Sequence, residues 1–357
     1  MTLLFRPLDM TGTTARNRLW VSPMCQYTAV DGVPNDWHHV HLAQFANGGA
    51  GVVIAEATAV VPEGRITPSD TGLWNDAQRD AWAPIVAAIH SRGALAGVQL
   101  AHAGRKASTH RPFDDARGSV AAAEGGWTTV APSAVAFDGY AEPVALDASG
   151  IDALVVAFGD AARRADEAGF DLLEVHAAHG YLLHQFLSPL SNERTDEYGG
   201  SLENRARLLL RVVDAVRHAA PGRTLAVRFS ATDWADGGWN VDETATVAGW
   251  VGERGVSVID ISTGGLVAHQ KITTGPGYQV PFAATVRERT GLLVTAVGEI
   301  DDGPQAEAIL QDGLADAVMI GRGWLRNPHF ALQAAEDLGD AEAATLWPPQ
   351  YLRARRR

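Results

Sequence analysis

Eight times along this chain a short, almost wholly apolar run gives way to a longer amphipathic one. The short runs cover residues 18–22, 51–56, 95–100, 172–176, 225–229, 256–261, 292–297 and 317–320. The longer runs cover 37–47, 76–92, 149–168, 202–219, 241–254, 280–290, 303–312 and 327–338. Strands apolar on both faces, each followed by a helix, belong in a parallel sheet covered by helices. Eight such units close a (β/α)8 barrel, so the expected class is α/β, a single TIM barrel spanning 1–357. No Gly-x-Gly-x-x-Gly follows the first strand, which weighs against an open Rossmann-type sheet.

Two stretches break the rhythm. Residues 104–146, after the third strand, are rich in Gly, Pro, Ala, Ser and Asp. A loop of that length is functional more often than idle, and here it falls on the catalytic face of a barrel. Residues 340–357 form a tail ending in three arginines, and a frayed, solvated end is the bland account of it.

The net charge of −13 argues against nucleic acid or an anionic membrane as partner, because both require a positive field. No leader-like segment is visible near Met1, and the longest apolar runs fall short of the ~20 residues that span a bilayer. A cytoplasmic enzyme is therefore expected. The single cysteine, Cys25, excludes an intrachain disulfide framework, a Cys-rich zinc site and a four-Cys iron–sulfur cluster. Lysine occurs only at Lys106 and Lys271, so a lysine in a cleft would be notable.

Polar side chains gather where barrel strands should end: Ser22 to Tyr27, Glu56-Ala57, Gln99, His102, His176, His179, Tyr181, Arg228, Gly298 and Gly321-Arg322-Gly323. Gly321-Arg322-Gly323 suits a phosphate, since glycines let backbone N–H groups approach an anion and arginine adds a fork of donors. A plain turn is the alternative, and Gly298 after the seventh strand favours phosphate by barrel precedent. His176 and His179 have three readings. They are metal ligands lacking an evident third partner, satisfied core residues, or donors polarising a substrate oxygen. Tyr181 beside them is a phenol protonated at neutral pH, able to act as an acid. Cys25 reads either as a nucleophile served by a histidine base or as a small buried hydrophobe.

These motifs resemble the Old Yellow Enzyme family of flavin-dependent ene-reductases, in its thermophilic-like, xenobiotic reductase branch. The resemblance is carried by Ser22-Pro23-Met24-Cys25 with Tyr27, by Gln99-Leu100-Ala101-His102-Ala103-Gly104-Arg105-Lys106, and by His176-Ala177-Ala178-His179-Gly180-Tyr181. It continues through Phe186-Leu187-Ser188-Pro189 and the segment from Asn192 to Arg205. It implies tightly bound, non-covalent FMN across the barrel mouth, with its phosphate at Gly321 and Arg322 near Gly298. Ser22, Pro23, Met24, Cys25 and Ala57 would contact the isoalloxazine and ribityl edge, Gln99 the pyrimidine ring, and Arg228 the N1 and O2 side. Cys25 becomes a tuner of the flavin.

The resemblance further implies ping-pong chemistry. NADPH or NADH reduces FMN; His176 and His179 then bind the carbonyl of an enone or enal, the flavin delivers hydride to the β-carbon, and Tyr181 protonates the α-carbon. Tyr27 would touch the substrate. Arg353 would reach a neighbouring subunit's site, implying a homodimer or homotetramer, although the tail here continues into Arg355-Arg356-Arg357. One cysteine excludes the iron–sulfur dienoyl-CoA reductase type on the same barrel. A metal-dependent hydrolase and a non-catalytic flavin carrier are the other rivals.

Overall fold

The computed structural model describes residues 2–355. The eight short runs form one closed barrel in which every neighbouring pair of strands is parallel. In chain order the strands are β1 (Leu19–Val21), β2 (Val52–Ala59), β3 (Leu95–Ala101), β4 (Leu172–Ala177), β5 (Thr224–Ser230), β6 (Val258–Ser262), β7 (Leu293–Ala296) and β8 (Ala317–Ile320). Strand β8 closes on β1 with Met319 opposite Trp20. The principal helices are α1 (Asp36–Asn47), α2 (Asp76–His90), α3 (Ala148–Ala168), α4 (Leu202–Ala219), α5 (Val241–Gly252), α6 (Val280–Thr290), α7 (Gly303–Gln311) and α8 (Phe330–Asp337).

Most helices begin where a short polar side chain takes up free backbone N–H groups. Asn35 and Asn75 form reciprocal capping boxes with His38 and Gln78, and Asp147, Ser201, Asn240 and Asp302 cap α3, α4, α5 and α7. The main core lies between strands and helices, where Phe45, Trp82, Phe158, Phe170 and Trp324 are fully buried. A second cluster fills the barrel interior at its N-terminal end. A hairpin of Leu8–Met10 with Thr13–Ala15 brings Leu8, Met10 and Ala15 under Trp20, Val52, Ile54, Leu172, Val258 and Met319. Each large apolar side chain removed from water there contributes ~1.5–3 kcal/mol.

Most boundaries fall within two residues of the sequence expectation, and the two that differ by three do so for identifiable reasons. Strand β2 continues past Glu56 to Ala59 because the chain bulges between Ala55 and Ala57. That bulge lets Glu56 accept the Gln26 N–H at 3.0 Å and meet His38 Nε2 at 3.2 Å. The helix expected from 327 starts only at Phe330, since Pro328 holds Asn327 in an extended conformation; residues Arg322–Arg326 form a short helix of their own.

The loop at 104–146 lies against the C-terminal rim. Arg105 donates to the carbonyls of Val135 at 3.1 Å and Leu266 at 2.7 Å, and Trp127 Nε1 donates to the carbonyl of Glu63 at 2.8 Å. The tail folds into 3-10 turns at Glu342–Leu346 and Pro349–Ala354, with the Tyr351 ring 5.6 Å from that of His329. Arg356 and Arg357 lie outside the described residues. Among the described residues no helix is long and apolar enough to cross a membrane.

Candidate active site

Side chains alternate across a strand, so inward positions recur at every second residue. On β4 the inward series is Leu172, Glu174, His176; on β5 it is Ala226, Arg228, Ser230; on β6 it is Val258, Asp260, Ser262. Apolar at the bottom, each series turns polar on the way up. Halfway up, Gln99 Nε2 donates to Glu174 Oε1 at 2.7 Å, and Thr295 Oγ1 donates to Asp260 Oδ1 at 2.8 Å. Arg228 Nε lies 2.9 Å from Asp260 Oδ2, while its Nη1 donates to Ser22 Oγ at 3.2 Å. Burial, reinforced by Asp260, pushes the Glu174 carboxyl up to about 8 against the opposing pull of Arg228 and Gln99. Burial pushes the Asp260 carboxyl up as well, against the pull of Arg228 and Thr295, so one fixed cation stands among two carboxyls that burial biases toward holding a proton.

Above it stands the segment following β4. The His176 ring centroid is 5.2 Å from that of His179 and 5.1 Å from that of Tyr181. His176 Nδ1 is buried without a partner, an orphan of the kind a ligand satisfies. His179 Nε2 is engaged by Ser262 Oγ at 2.8 Å. Burial first, and then the positive charge of Arg228, holds both imidazoles well below the usual histidine range. Each is therefore neutral at pH 7 and can donate one N–H. Burial, with Cys25, Asp70 and Tyr140 nearby, pushes the Tyr181 phenol well above its usual range, so it stays protonated.

Cys25 and Tyr27 face the same mouth, Tyr27 with φ +55°. Burial, then Asp70 and Glu56, pushes the Cys25 thiol up, which removes the thiolate that a nucleophile would need. Ala57, on β2 just past the bulge, shares a recess with Tyr181, Arg65 and Asp70. Burial raises the Asp70 carboxyl to about 7.

On the β7–β8 side, a cleft of about 230 Å³ is lined by Met24, Tyr278, Gln279, Gly298, Gly321 and Arg322, among others. Gly298 has φ +122°, and a β-carbon there would come within 2.7 Å of Gln279 Nε2. Arg322 is 74% exposed, its nearest carboxylate oxygen being Glu299 Oε1 at 4.0 Å, so its guanidinium is open to an anion. An anion-accepting cleft, a central layer of donors and acceptors, and an orphaned imidazole nitrogen fit the phosphate, ring system and substrate side of a bound flavin nucleotide. The structure thus brings together Ser22, Pro23, Met24, Cys25, Tyr27, Ala57, Gln99, His176, His179, Tyr181, Arg228, Gly298, Gly321 and Arg322 around the barrel mouth. Arg353 is apart from them, exposed in the turn Pro349–Ala354.

Glu174, Asp260, Thr295 and Asp70 escaped the sequence reading. For the first two a signal existed: a lone acid inside an apolar run, Leu172-Leu173-Glu174-Val175 and Val258-Ile259-Asp260-Ile261, marks an inward polar position.

Comparison with known proteins is consistent with this geometry. The model of the NADH:flavin oxidoreductase / NADH oxidase family matches residues 3–341. The NADPH dehydrogenase of Listeria innocua is 47% identical over 99% of both chains, and that of Bacillus subtilis 45% identical over 98% of both. The structure of morphinone reductase in complex with tetrahydroNAD is similar with a TM-score of 0.79 and 31% identity, covering 95% of this chain and 91% of that one. The chain belongs to the NADH:flavin oxidoreductase / NADH oxidase family, of Old Yellow Enzyme type, and is an oxidoreductase that uses FMN and NAD(P)H.

Proposed function

We propose that this enzyme is an ene-reductase, a single FMN-binding barrel domain that reduces the C=C bond of α,β-unsaturated carbonyl compounds. The observation that carries the reading is the grouping of two neutral imidazoles and one protonated phenol on a single segment above the cation Arg228. When bound, FMN would supply the redox chemistry that links oxidation of NADPH or NADH to reduction of the enone at its β-carbon. Gly298, Gly321 and Arg322 would hold its phosphate, Ser22, Pro23, Met24, Cys25 and Ala57 would border its ring system, and Gln99 and Arg228 would hold its pyrimidine side. The fixed charge of Arg228 offsets negative charge arriving there.

His176 and His179 donate N–H bonds to the substrate carbonyl oxygen as it gains enolate character. Donors aimed at a developing oxyanion are worth about 3 kcal/mol each when removed. His179 reaches the substrate through Nδ1, or through Nε2 on release from Ser262. Tyr181 gives its phenolic proton to the α-carbon, a general-acid role worth roughly 10²–10⁴-fold in rate. Tyr27 borders the substrate, and the Phe113 ring packs against it in a T-shaped pair with ring centroids 6.2 Å apart. Donor and acceptor use the site in turn, which makes the kinetics ping-pong. The enzyme acts in the cytoplasm as a homodimer or homotetramer in which Arg353 reaches a neighbouring copy's mouth; the exposure of the tail turn supports this.

The Tyr181→Phe variant tests the reading. Reoxidation of the reduced enzyme by an enone should slow by about 10²-fold or more, with FMN content and reduction by NADPH close to wild type. Loss of FMN instead would make Tyr181 structural.

A further inference from the structure

The peptide group joining His179 to Gly180 is gripped at both ends. Its carbonyl accepts from Lys106 Nζ at 2.9 Å, and its N–H donates to His184 Nδ1 at 2.9 Å. Lys106 Nζ donates in addition to the carbonyl of Gly265 at 2.9 Å. On the far side of the imidazole, His184 Nε2 lies 2.9 Å from Asp233 Oδ1, with both side chains 0% exposed. Asp233 Oδ2 accepts from Ser188 Oγ at 2.6 Å and from the Trp239 N–H at 2.8 Å. These contacts are distinct from those assigned above to substrate and FMN.

The grip falls where the backbone is least free to relax. His179 and Gly180 both adopt the left-handed region, with φ +58° and +72°. A non-glycine residue there costs about 1 kcal/mol or more and persists only where its surroundings over-determine it. A β-carbon on Gly180 would come within 2.1 Å of the Gly265 carbonyl oxygen, so the segments after β4 and β6 touch backbone to backbone. Lys106 bonds a carbonyl on each of the two.

We propose that Lys106, His184 and Asp233 form a positioning line, running from cation to anion through the His179–Gly180 peptide, that sets His179 and Tyr181 in their working arrangement. The inference rests on the ene-reductase reading for what that arrangement does. Its electrostatics are consistent along the whole line. A cation at the carbonyl end and a carboxylate behind the acceptor at the N–H end polarise the peptide in the same sense. Because His184 Nδ1 accepts the Gly180 N–H hydrogen bond, that nitrogen carries no proton, and the ring's own proton sits on Nε2, facing Asp233. An imidazolium would set a second N–H against that of Gly180. The other oxygen of Asp233 accepts from the Ser188 hydroxyl and the Trp239 N–H, which offsets the cost of burying its charge. Burial, with Arg105 adjacent, lowers Lys106 to about 8, which leaves it protonated at neutral pH. Its ammonium sits 4.8 Å from the Phe137 ring and 5.2 Å from the Tyr181 ring, so it also abuts the acid whose place it helps to set.

Two measurements on the FMN-loaded enzyme test the line. In Lys106→Met, reoxidation of the reduced enzyme by cyclohexenone should slow by about tenfold to a hundredfold while FMN stays bound. Lys106→Arg, which keeps a donor cation, should recover part of the loss. Wild-type reoxidation rates in Lys106→Met overturn the proposal. Independently, ¹⁵N spectra of the histidine-labelled wild type, assigned by comparison with His184→Asn, should show His184 neutral and protonated on Nε2. A proton on Nδ1, or an imidazolium at pH 7, overturns the proposal even if Lys106→Met fails to fold. A wild type that reduces no enone defeats the ene-reductase reading, and the tautomer still decides whether the line exists.

Discussion

The two ends of the barrel are built from the same eight strands and differ in almost every other respect. At the floor, Leu8, Met10, Trp20, Leu172, Val258 and Met319 pack as a closed apolar plug. Toward the mouth, the same strands present Gln99, Glu174, Arg228, Asp260 and Thr295, and above them His176, Ser230 and Ser262. Buried polar and charged groups like these cost stability unless fully paired, whereas the plug contributes stability without conditions. The contrast separates two tasks along one axis: the floor holds the cylinder closed, and the mouth uses that rigidity to keep costly groups in place.

The largest effect expected from breaking this contrast is at the floor. Trp20→Ala removes a fully buried indole whose Nε1 donates to the carbonyl of Asn17 at 3.1 Å. It should cost about 3–5 kcal/mol in chemical denaturation, while the folded fraction still binds FMN. Loss of FMN affinity without loss of stability would show that the two ends are not separate.

A smaller change should follow at the polar layer, in Glu174→Gln. The folded-state value of Glu174, about 8, lies above its unfolded value. The folded protein therefore holds the proton more tightly, and stability from this group is present in acid and lost as pH rises toward about 8. Glutamine mimics the protonated carboxyl, so the variant should match wild type near pH 5 and surpass it above pH 8. Equal pH profiles would mean that Glu174 is ionised across the range. The smallest effect belongs outside the cylinder: Arg353→Ala should shift substrate KM by a few-fold and leave FMN content untouched. Unchanged kinetics would confine the tail to its own subunit.

The sequence made the barrel legible because each strand–helix unit announces itself locally, by an apolar run and then an amphipathic one, in most cases behind a capping side chain. The rim residues were legible for a related reason: His176, Tyr181 and Arg322 are polar residues at or just past strand ends, where packing alone does not call for them. What stayed hidden depends on relations between distant segments. Glu174 and Asp260 acquire meaning only through the register that sets them beside Gln99 and Arg228. Glu56 reads as the end of a strand because charge usually marks one, and only the bulge and His38 explain its burial. Lys106, His184 and Asp233 come from three separate segments and converge on one peptide group, a convergence that no local spacing encodes.

Whether the enzyme reduces enones is read most plainly from the visible spectrum of the purified protein under anaerobic conditions. An ene-reductase should show a flavin absorbance that bleaches on addition of NADPH or NADH and returns, without oxygen, on addition of cyclohexenone. A flavin that bleaches but stays reduced in the presence of the enone would contradict that reading.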